Sequence, residues 1–461
     1  MKNTIKKEYW TPVFANDNDA LIPEVWAQEA LMILEANMVA ANMVYRDFED
    51  EVASYGDVVN AHRPGTFVAK RKVDGDAVTN QDATATNVPV KLDQHLHVSF
   101  MIYDGEESKS FKDLVALYLR PALIAQAQGL DQVVLGQTYE FLTNCVGKLG
   151  TDPDKTTIIA ANEKLNVNKC PVAGRNMIVT PNAEGALLAG SEFLKVNEAG
   201  DSEAMRNARL GHKLNFDFFM CQNALSVPTG STTEVRATVD GGHAKGATTI
   251  AITHGSCGSI VAGTWCTIGG DMTPQLITAS TGGATPSDIT ISPGLRSAVL
   301  TAAAITMYTT GTVNQGASPT GYAVGWNKDI VHATITPKVG QLVSFGVDGY
   351  KYSAMSTPNA TTALLLNRSL DAAIAHSAAM GVGPTGEYCF GFHRNAIALV
   401  TRPLAMPRAG AGAMSYVASY NGLSVRVTIA YDSQYQGHRV TVDLLAGVKT
   451  LDTNLGVVVL G

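Results

Sequence analysis

The chain is poor in charged residues. Only 16% of its 461 residues are charged, against roughly 25% in an average soluble domain. The formal net charge is −7, so the chain lacks the basic excess that a dedicated nucleic-acid-binding protein usually shows. Hydrophobic residues make up 46%, which is enough for a packed core and excludes wholesale disorder. We therefore expect a globular protein that either has little solvent-facing surface or hides much of that surface against partners.

Signals for membranes, secretion and disulfides are also lacking. No run of eighteen apolar residues occurs, so the sequence predicts no transmembrane helix. The lysines of the first ten residues are not followed by an apolar segment, which argues against a secretory signal. The six cysteines are scattered without a CxxC pair. This usage is typical of free thiols in a reducing cytosol.

Motifs for catalysis and for metal binding are absent as well. The sequence contains no GxxxxGK[ST], HExxH or GxSxG pattern. His95 and His97 share one face of a predicted strand, but two ligands are too few for a zinc site. The pair His393-Arg394 precedes an apolar run and is interpreted as an ordinary strand boundary. We therefore expect no enzyme, no cofactor and no bound metal.

The first third of the chain changes its hydrophobic period twice. Spacings of three and four predict a helix from about residue 22 to about residue 44. Between residues 57 and 102 the period becomes two, with a turn signal at Asp74-Gly75-Asp76, so we expect a long two-stranded hairpin. Because such a hairpin has little core of its own, something outside its domain should cover it. A long amphipathic helix is predicted over residues 108–142.

The remaining chain is of α+β type and is interrupted by a β-rich block. Short helices and strands are predicted over residues 153–227, and the α+β character returns near residue 385 and continues to the end. Between them, residues 228–384 are rich in Thr, Ser, Gly and Ala and predict short strands. Within the block, residues 258–296 are echoed by residues 340–371 at an offset of about 75–82 residues. We interpret the block as an inserted domain, made of one β module or of two small β-barrels in tandem.

Several stretches resemble one protein family directly, and their order is the specific part of the likeness. They are IPEVWAQEA (22–30), GDVV (56–59), RPG (63–65), QD (81–82), FGFHRNAI (390–397), VRV (425–427) and YD (431–432). The chain resembles the major capsid proteins of tailed bacteriophages, in particular the short-tailed-phage coat type with an insertion domain, and so the capsid fold that tailed phages share with herpesviruses. The likeness covers about 300 residues, on both sides of the β-rich block.

The resemblance implies a domain organisation for this chain. It divides into an N-terminal arm with a helix (1–56), an extended loop (57–102), a peripheral domain (103–170) containing the spine helix 108–142, a first part of the axial domain (171–227), the β-rich insertion domain (228–384) and the remainder of the axial and peripheral domains (385–461). The hairpin starts so early that the resemblance implies a separate scaffolding protein rather than an N-terminal scaffolding segment.

The resemblance also implies a function and a set of contact residues. The chain would assemble into hexamers and pentamers of an icosahedral shell around double-stranded DNA, with scaffolding, portal and decoration proteins as partners. It would act without catalysis, in a virion capsid assembled in the host cytoplasm as a procapsid. Contacts between subunits are expected at Phe67, Lys70, Arg71, Lys72, Asp74, Asp76 and Lys91. Packing of the spine helix is expected at Leu123, Leu130, Val134 and Phe141.

Three alternatives stay open at this point. An encapsulin-like compartment protein would share the fold but package enzymes, and the large insertion speaks against it. A surface β-repeat adhesin would account for the Thr/Gly-rich block, but it needs secretion. A hydrolase with an unrecognised site would have to lose a measurable activity when His393 is mutated.

Overall fold

The computed structural model describes most of the chain, with gaps. The described residues are 23–46, 58–63, 69–75, 77–78, 86–104, 118–190, 193, 206–228, 233–254, 259–281, 286–314, 321–333, 335–355, 364–408, 413–420 and 423–461.

The N-terminal part forms two helices, α1 (Pro23–Asn37) and α2 (Ala40–Met43). The sequence pattern predicted one continuous helix here, and that is wrong at the junction. The backbone N–H groups of Val39 and Ala41 donate to the carboxylate of Asp131, at 2.9 and 3.0 Å. The helix is interrupted where this distant acceptor takes the place of the local carbonyls.

The predicted hairpin is shorter than expected. Strands β1 (Val58–Arg63) and β2 (Thr86–Lys91) pair antiparallel, from Val58 opposite Lys91 to Arg63 opposite Thr86. The next strand, β3 (Gln94–Tyr103), leaves the hairpin and pairs with a C-terminal strand, β24 (Gly437–Thr450). Its alternating apolar residues are partly buried, since Leu96 and Phe100 pack against the main hydrophobic core. The hairpin therefore ends at a corner formed by residues 92 and 93.

The predicted spine helix forms a rod in two parts. Helix α3 (Arg120–Leu135) runs directly into a 3₁₀ helix over Gly136–Asn144. Gly136 keeps right-handed helical angles, φ −57° and ψ −21°, so the chain does not turn at the junction. Residues 108–117 of the predicted helix lie outside the described residues. The rod is buried along one side in the main hydrophobic core.

A seven-stranded mixed sheet follows the rod and is covered by two capped helices. Helix α4 (Lys155–Val167) begins after Asp154, and α5 (Pro181–Ala189) begins after Thr180; each of these two side chains accepts a backbone N–H of its helix. The sheet has the order β4-β25-β20-β5-β7-β6, with β8 paired to β20. Its strands are β4 (Cys145–Gly147), β5 (Arg175–Val179), β6 (His212–Lys213), β7 (Phe216–Met220), β8 (Leu225–Val227), β20 (Gly386–His393) and β25 (Gly456–Leu460).

A second body sheet has five strands and carries α1 on one face. Its order is β21-β24-β23-β22, with β3 paired to β24. The new strands are β21 (Ile397–Arg402), β22 (Ala413–Tyr420) and β23 (Leu423–Asp432). The strands predicted from the C-terminal pattern therefore exist, and β23 and β24 are longer than expected.

The inserted block begins with a closed six-stranded barrel. The barrel order is β10-β13-β12-β11-β14-β9. Its strands are β9 (Thr233–Val239), β10 (Thr249–His254), β11 (Trp265–Ile268), β12 (Gln275–Thr281), β13 (Asp288–Ser292) and β14 (Ala304–Tyr308). Isoleucines at alternating strand positions fill its interior. We call residues 233–308 the first module.

The rest of the block, residues 310–382, is the second module. Its strands are β15 (Thr310–Val313), β16 (His332–Ala333), β17 (Leu342–Phe345), β18 (Tyr352–Ser353) and β19 (Ala379–Val382). Within the described residues they form an open sheet of order β16-β15-β19-β17-β18. The first module is therefore a closed barrel as expected, whereas the described strands of the second module leave its sheet open. Among its described residues, the second module has a single bridge, Ile330 to Leu364, where the first module has the β10–β13 ladder.

Backbone hydrogen bonds of the first module nevertheless recur in the second, at the offset that the sequence suggested. Gly246 N donates to Leu295 O, and Gly325 N donates to Leu370 O. Further along, His243 N donates to Val299 O, and Tyr322 N donates to Ile374 O. Ala302 and Ser377, both with positive φ, donate to Val239 O and Val313 O in the same way. The two modules thus share one chain path.

Candidate assembly surface

The outer part of the hairpin is exposed wherever the structure describes it. Lys70, Arg71, Lys72 and Asp74 are all exposed side chains. Asp74 and Gly75 form a turn, and Gly75 has φ +97°, a conformation that glycine adopts without strain. Phe67 and Asp76, which were predicted with them, lie outside the described residues.

Two valines near the tip are exposed as well. Val73 is 60% exposed and Val78 is 74% exposed. Large apolar side chains on a projecting segment are not stabilised by their own chain, because their apolar surface stays in water. The outer hairpin thus presents apolar and cationic side chains together, without a covering element in the described part of the chain.

The inner part of the hairpin is anchored to the body. Val59 on β1 and Val90 on β2 are almost fully buried, and they pack with Ala398, Val400 and Leu445 of the second body sheet. Lys91, at the end of β2, is exposed. The hairpin therefore has a buried base, and the described residues of its outer end are exposed.

The four predicted spine residues lie together in the main core. Leu123, Leu130, Val134 and Phe141 are each no more than 2% exposed. The Phe141 ring lies 4.9 Å from that of Phe390, centroid to centroid. This packing joins the rod to strand β20 of the seven-stranded sheet.

The rod also holds the inserted block. The Tyr139 hydroxyl donates to Gly340 O at 2.6 Å, and burial raises the pKa of Tyr139 well above its usual range. Arg368 of the second module donates to Glu140 Oε1 at 2.5 Å. The first module is held by β4 instead, where Arg296 donates to the carbonyl oxygen of Gly147.

Charged groups of three elements meet at the base of the hairpin around a cavity of about 310 Å³. Lys91 and Asp93 line it from the corner, Arg368 and Asp371 from the second module, and Lys449 from β24. Lys449 Nζ is 3.0 Å from Asp371 Oδ1, and Arg368 Nη2 is 3.0 Å from Asp371 Oδ2. This arrangement joins the hairpin corner, the second module and β24 to one another.

The three histidines singled out in the sequence lie on strand β3 and at the end of strand β20. His95 and His97 lie side by side on β3 with ring centroids 5.8 Å apart. His393 Nδ1 accepts the N–H of Asn395 at a strand end. In the described part of the chain, no three His, Cys, Asp or Glu side chains lie close enough together to hold a metal ion.

The described cysteines are buried in positions that lower the reactivity of their thiols. The five described cysteines are buried and carry no disulfide. Burial raises the pKa of Cys266 to about 12 and that of Cys389 to about 11, so both thiols stay protonated and unreactive at neutral pH. Among the described helices, none is long and apolar enough to cross a membrane.

Sequence reasoning missed the residues that fix the hairpin base. Asp93 and Arg368 belong to no motif, and each acts on a partner hundreds of positions away. One signal was available for Arg368, since it lies inside the segment 340–371 that echoes the first module. No local signal marked Asp93 as a contact between domains.

Comparisons with known proteins yield structural neighbours only. No family model matches the chain, and no curated protein matches it. The fold is similar to a structure of Mycobacterium phage Che8, with a TM-score of 0.43 and 14% identity over 92% of this chain and 90% of that one. It is similar to the capsid structure of cyanophage P-SCSP1u, with a TM-score of 0.41 and 9% identity over 90% and 88%. For the mature capsid of bacteriophage PhiM1 the TM-score is 0.38, with 11% identity over 90% and 87%.

Proposed function

We propose that this chain is the major capsid protein of a tailed phage and that it assembles through its extended hairpin. The observation that carries the proposal is the uncovered outer hairpin, which combines exposed Val73 and Val78 with the cations at residues 70–72. A projection of this kind gains stability when a second copy covers it, because burial removes apolar surface from water. The order of family-like motifs along the sequence supports the same proposal.

The proposal also covers the form of the assembly, its partners and the domain limits of the chain. Hexamers and pentamers of the chain form an icosahedral shell that encloses double-stranded DNA by non-specific contact. Scaffolding and portal proteins, and a decoration protein, take part in assembly in the host cytoplasm before the virion matures. The domain limits are those inferred from the sequence, with the extended loop ending at the corner of residues 92 and 93. The insertion domain consists of two copies of one β module.

The test compares the full chain with a variant that keeps the hairpin base. Residues 64–85 are replaced by Asn-Gly, a two-residue turn that suits the antiparallel register from Arg63 to Thr86. Sedimentation and electron microscopy should show closed shells for the full chain, in the presence of its scaffolding protein. The shortened chain should remain as small oligomers while keeping its circular dichroism spectrum and a cooperative melt.

A matched control shortens a different hairpin loop. In this control, residues 282–285 between β12 and β13 of the barrel are likewise replaced by Asn-Gly. This change should leave shell formation intact. Normal shells from the chain that lacks 64–85 would contradict the role of the hairpin. A full chain that stays monomeric or dimeric with its scaffold would contradict the capsid assignment. Shells filled with an enzyme rather than DNA would favour the encapsulin-like alternative.

A further inference from the structure

The corner between β2 and β3 is held by the second module. Asp93 Oδ2 accepts the backbone N–H of Ser369 at 2.7 Å. The side chain of Asn327 donates to the carbonyl oxygen of Asp93 at 3.3 Å. Hydrogen bonds that involve a charged group are stronger than neutral ones. The direction of the chain at the corner is thus tied to two separate segments of the module.

The opposite side of the corner lies directly on the body. A Cβ atom at Gly447 of β24 would clash with the carbonyl oxygen of Lys91, so the absence of a side chain there lets the corner approach β24. Leu92 is 2% exposed and packs in the cluster formed with β21 and β24. The corner is therefore clamped between β24 beneath it and the second module above it.

Residues 368–371, which contact the corner, are themselves held in place by ion pairs. Next to Ser369, the side chain of Arg368 is 6% exposed and is paired with both Glu140 and Asp371. Lys449 of β24 pairs with the same Asp371. Removing one partner of a buried ion pair is strongly destabilising, because it leaves a charge buried without compensation. Residues 368–371 therefore contact the rod, β24 and the hairpin corner within a single turn of chain.

The first module is attached to another part of the body. Its Arg296 reaches Gly147 O, and Leu149 N donates to Met272 O. The position that corresponds to Ser369, at the offset that relates Leu295 to Leu370, is Gly294. The two modules follow one chain path, yet the grip on the hairpin is made by the second.

We propose that the second module acts as a brace, setting through Asp93 the direction in which the hairpin leaves the body. The brace works within one chain, and it deepens the proposed function, because the direction of the hairpin decides where it meets the next copy. The insertion would then act within the subunit that carries it. Loss of the brace leaves the fold intact and misdirects the hairpin.

The experiment has an arm that does not depend on assembly. Hydrogen exchange is measured on the unassembled full chain for wild type, Asp93→Ala and Asp93→Asn. Asp93→Ala should raise exchange of the β1 and β2 amides by about tenfold, as expected for the loss of one charged hydrogen bond. Asp93→Asn keeps an acceptor oxygen for Ser369 N and should restore most of the protection. Unchanged exchange in Asp93→Ala would overturn the brace, whether or not the chain forms shells.

The second part of the experiment measures assembly, with the removal of a comparable carboxylate at Asp154 as its control. Asp154→Ala also removes a carboxylate that accepts a backbone N–H, that of Thr157 at 2.8 Å, but at the start of α4 rather than at the hairpin. Asp93→Ala should yield open or irregular shells, whereas Asp154→Ala and Asp93→Asn should yield shells of the wild-type diameter. Equal defects in Asp93→Ala and Asp154→Ala, or none in Asp93→Ala, would overturn the proposal. Absence of shells from the wild type overturns the proposed function instead, and the exchange arm still decides the brace.

Discussion

Asp131 accepts a hydrogen bond from the backbone N–H of Ala41, a residue ninety positions earlier in the chain. The carboxylate lies on α3 with none of its surface exposed. It also accepts the N–H of Val39 and lies 4.0 Å from the Cys221 thiol. One buried side chain thus joins the N-terminal helices to the rod.

This carboxylate should make stability depend on pH. Burial raises the pKa of Asp131 from 3.8 to about 6, despite the lowering effect of the backbone N–H groups of Val39, Ala41 and Ala40. A group with a raised pKa in the folded state contributes stability that is fully present below its unfolded pKa and is lost as pH rises through its folded pKa. The free energy of unfolding of wild type relative to Asp131→Asn should therefore fall by about 3 kcal/mol between pH 3 and pH 7.

Urea unfolding of both proteins across this range checks the prediction. Asp154 provides a control of opposite sign, because hydrogen bonds from Thr157 and Thr156 lower its pKa. Relative to Asp154→Asn, wild type should lose stability as pH falls below the usual range of an aspartate. A difference for Asp131→Asn that is constant with pH would contradict the assignment of Asp131 as the titrating group.

Replacing Arg368 should cost far more than replacing an exposed arginine. Arg368→Ala leaves Glu140 and Asp371 without their shared partner, so we expect a loss of about 3–5 kcal/mol in the free energy of unfolding. Arg439→Ala removes an ion pair to Asp432 in which the arginine side chain is 50% exposed, and it should cost less than about 1 kcal/mol. Urea titrations followed by circular dichroism distinguish the two, and similar losses would show that the network is not energetically coupled.

Gly447 should not tolerate a methyl group. Gly447→Ala places a Cβ against Lys91 O, so the hairpin corner has to shift, and we expect a loss of about 1–3 kcal/mol. Gly185 in α5 has no atom within 4 Å of an added Cβ. Gly185→Ala should therefore stabilise the protein by up to about 1 kcal/mol through helix propensity. Melting temperatures of the two variants should move in opposite directions, and a neutral Gly447→Ala would show that the corner is free to adjust.

One buried hydrogen bond joins the two inserted modules. Trp265 Nε1 donates to Ser344 Oγ at 2.8 Å, and the Trp265 side chain is fully buried. Ser344→Ala leaves the indole N–H without its acceptor and should cost about 1–3 kcal/mol. Ser280→Ala removes a partly buried hydroxyl that donates to Ile260 O, and it should cost less. Thermal unfolding monitored by tryptophan fluorescence measures both, and equal costs would mean that the module contact does not depend on this bond.

Much of the secondary structure could be predicted from hydrophobic periodicity and from capping and turn residues. The helix at 155–167 follows a capping aspartate, and the turn at Asp74 and Gly75 follows its sequence signal. Strand β3 shows where this approach fails. Its alternating pattern correctly predicts a strand with one apolar face, but the pattern is equally compatible with β2 or β24 as a neighbour. The structure pairs it with β24 because its apolar residues can then pack on α3 and the core.

The sequence by itself determined much of the secondary structure, its order and the interruption of an α+β chain by a β-rich block, because hydrophobic period and turn residues act locally. The tertiary structure alone decided which distant groups meet. Asp93 reaches Ser369, Asp131 reaches Ala41, and Arg368 reaches Glu140 only once the core has folded. Such contacts arise from the packing of whole elements, and no local pattern along the chain encodes them.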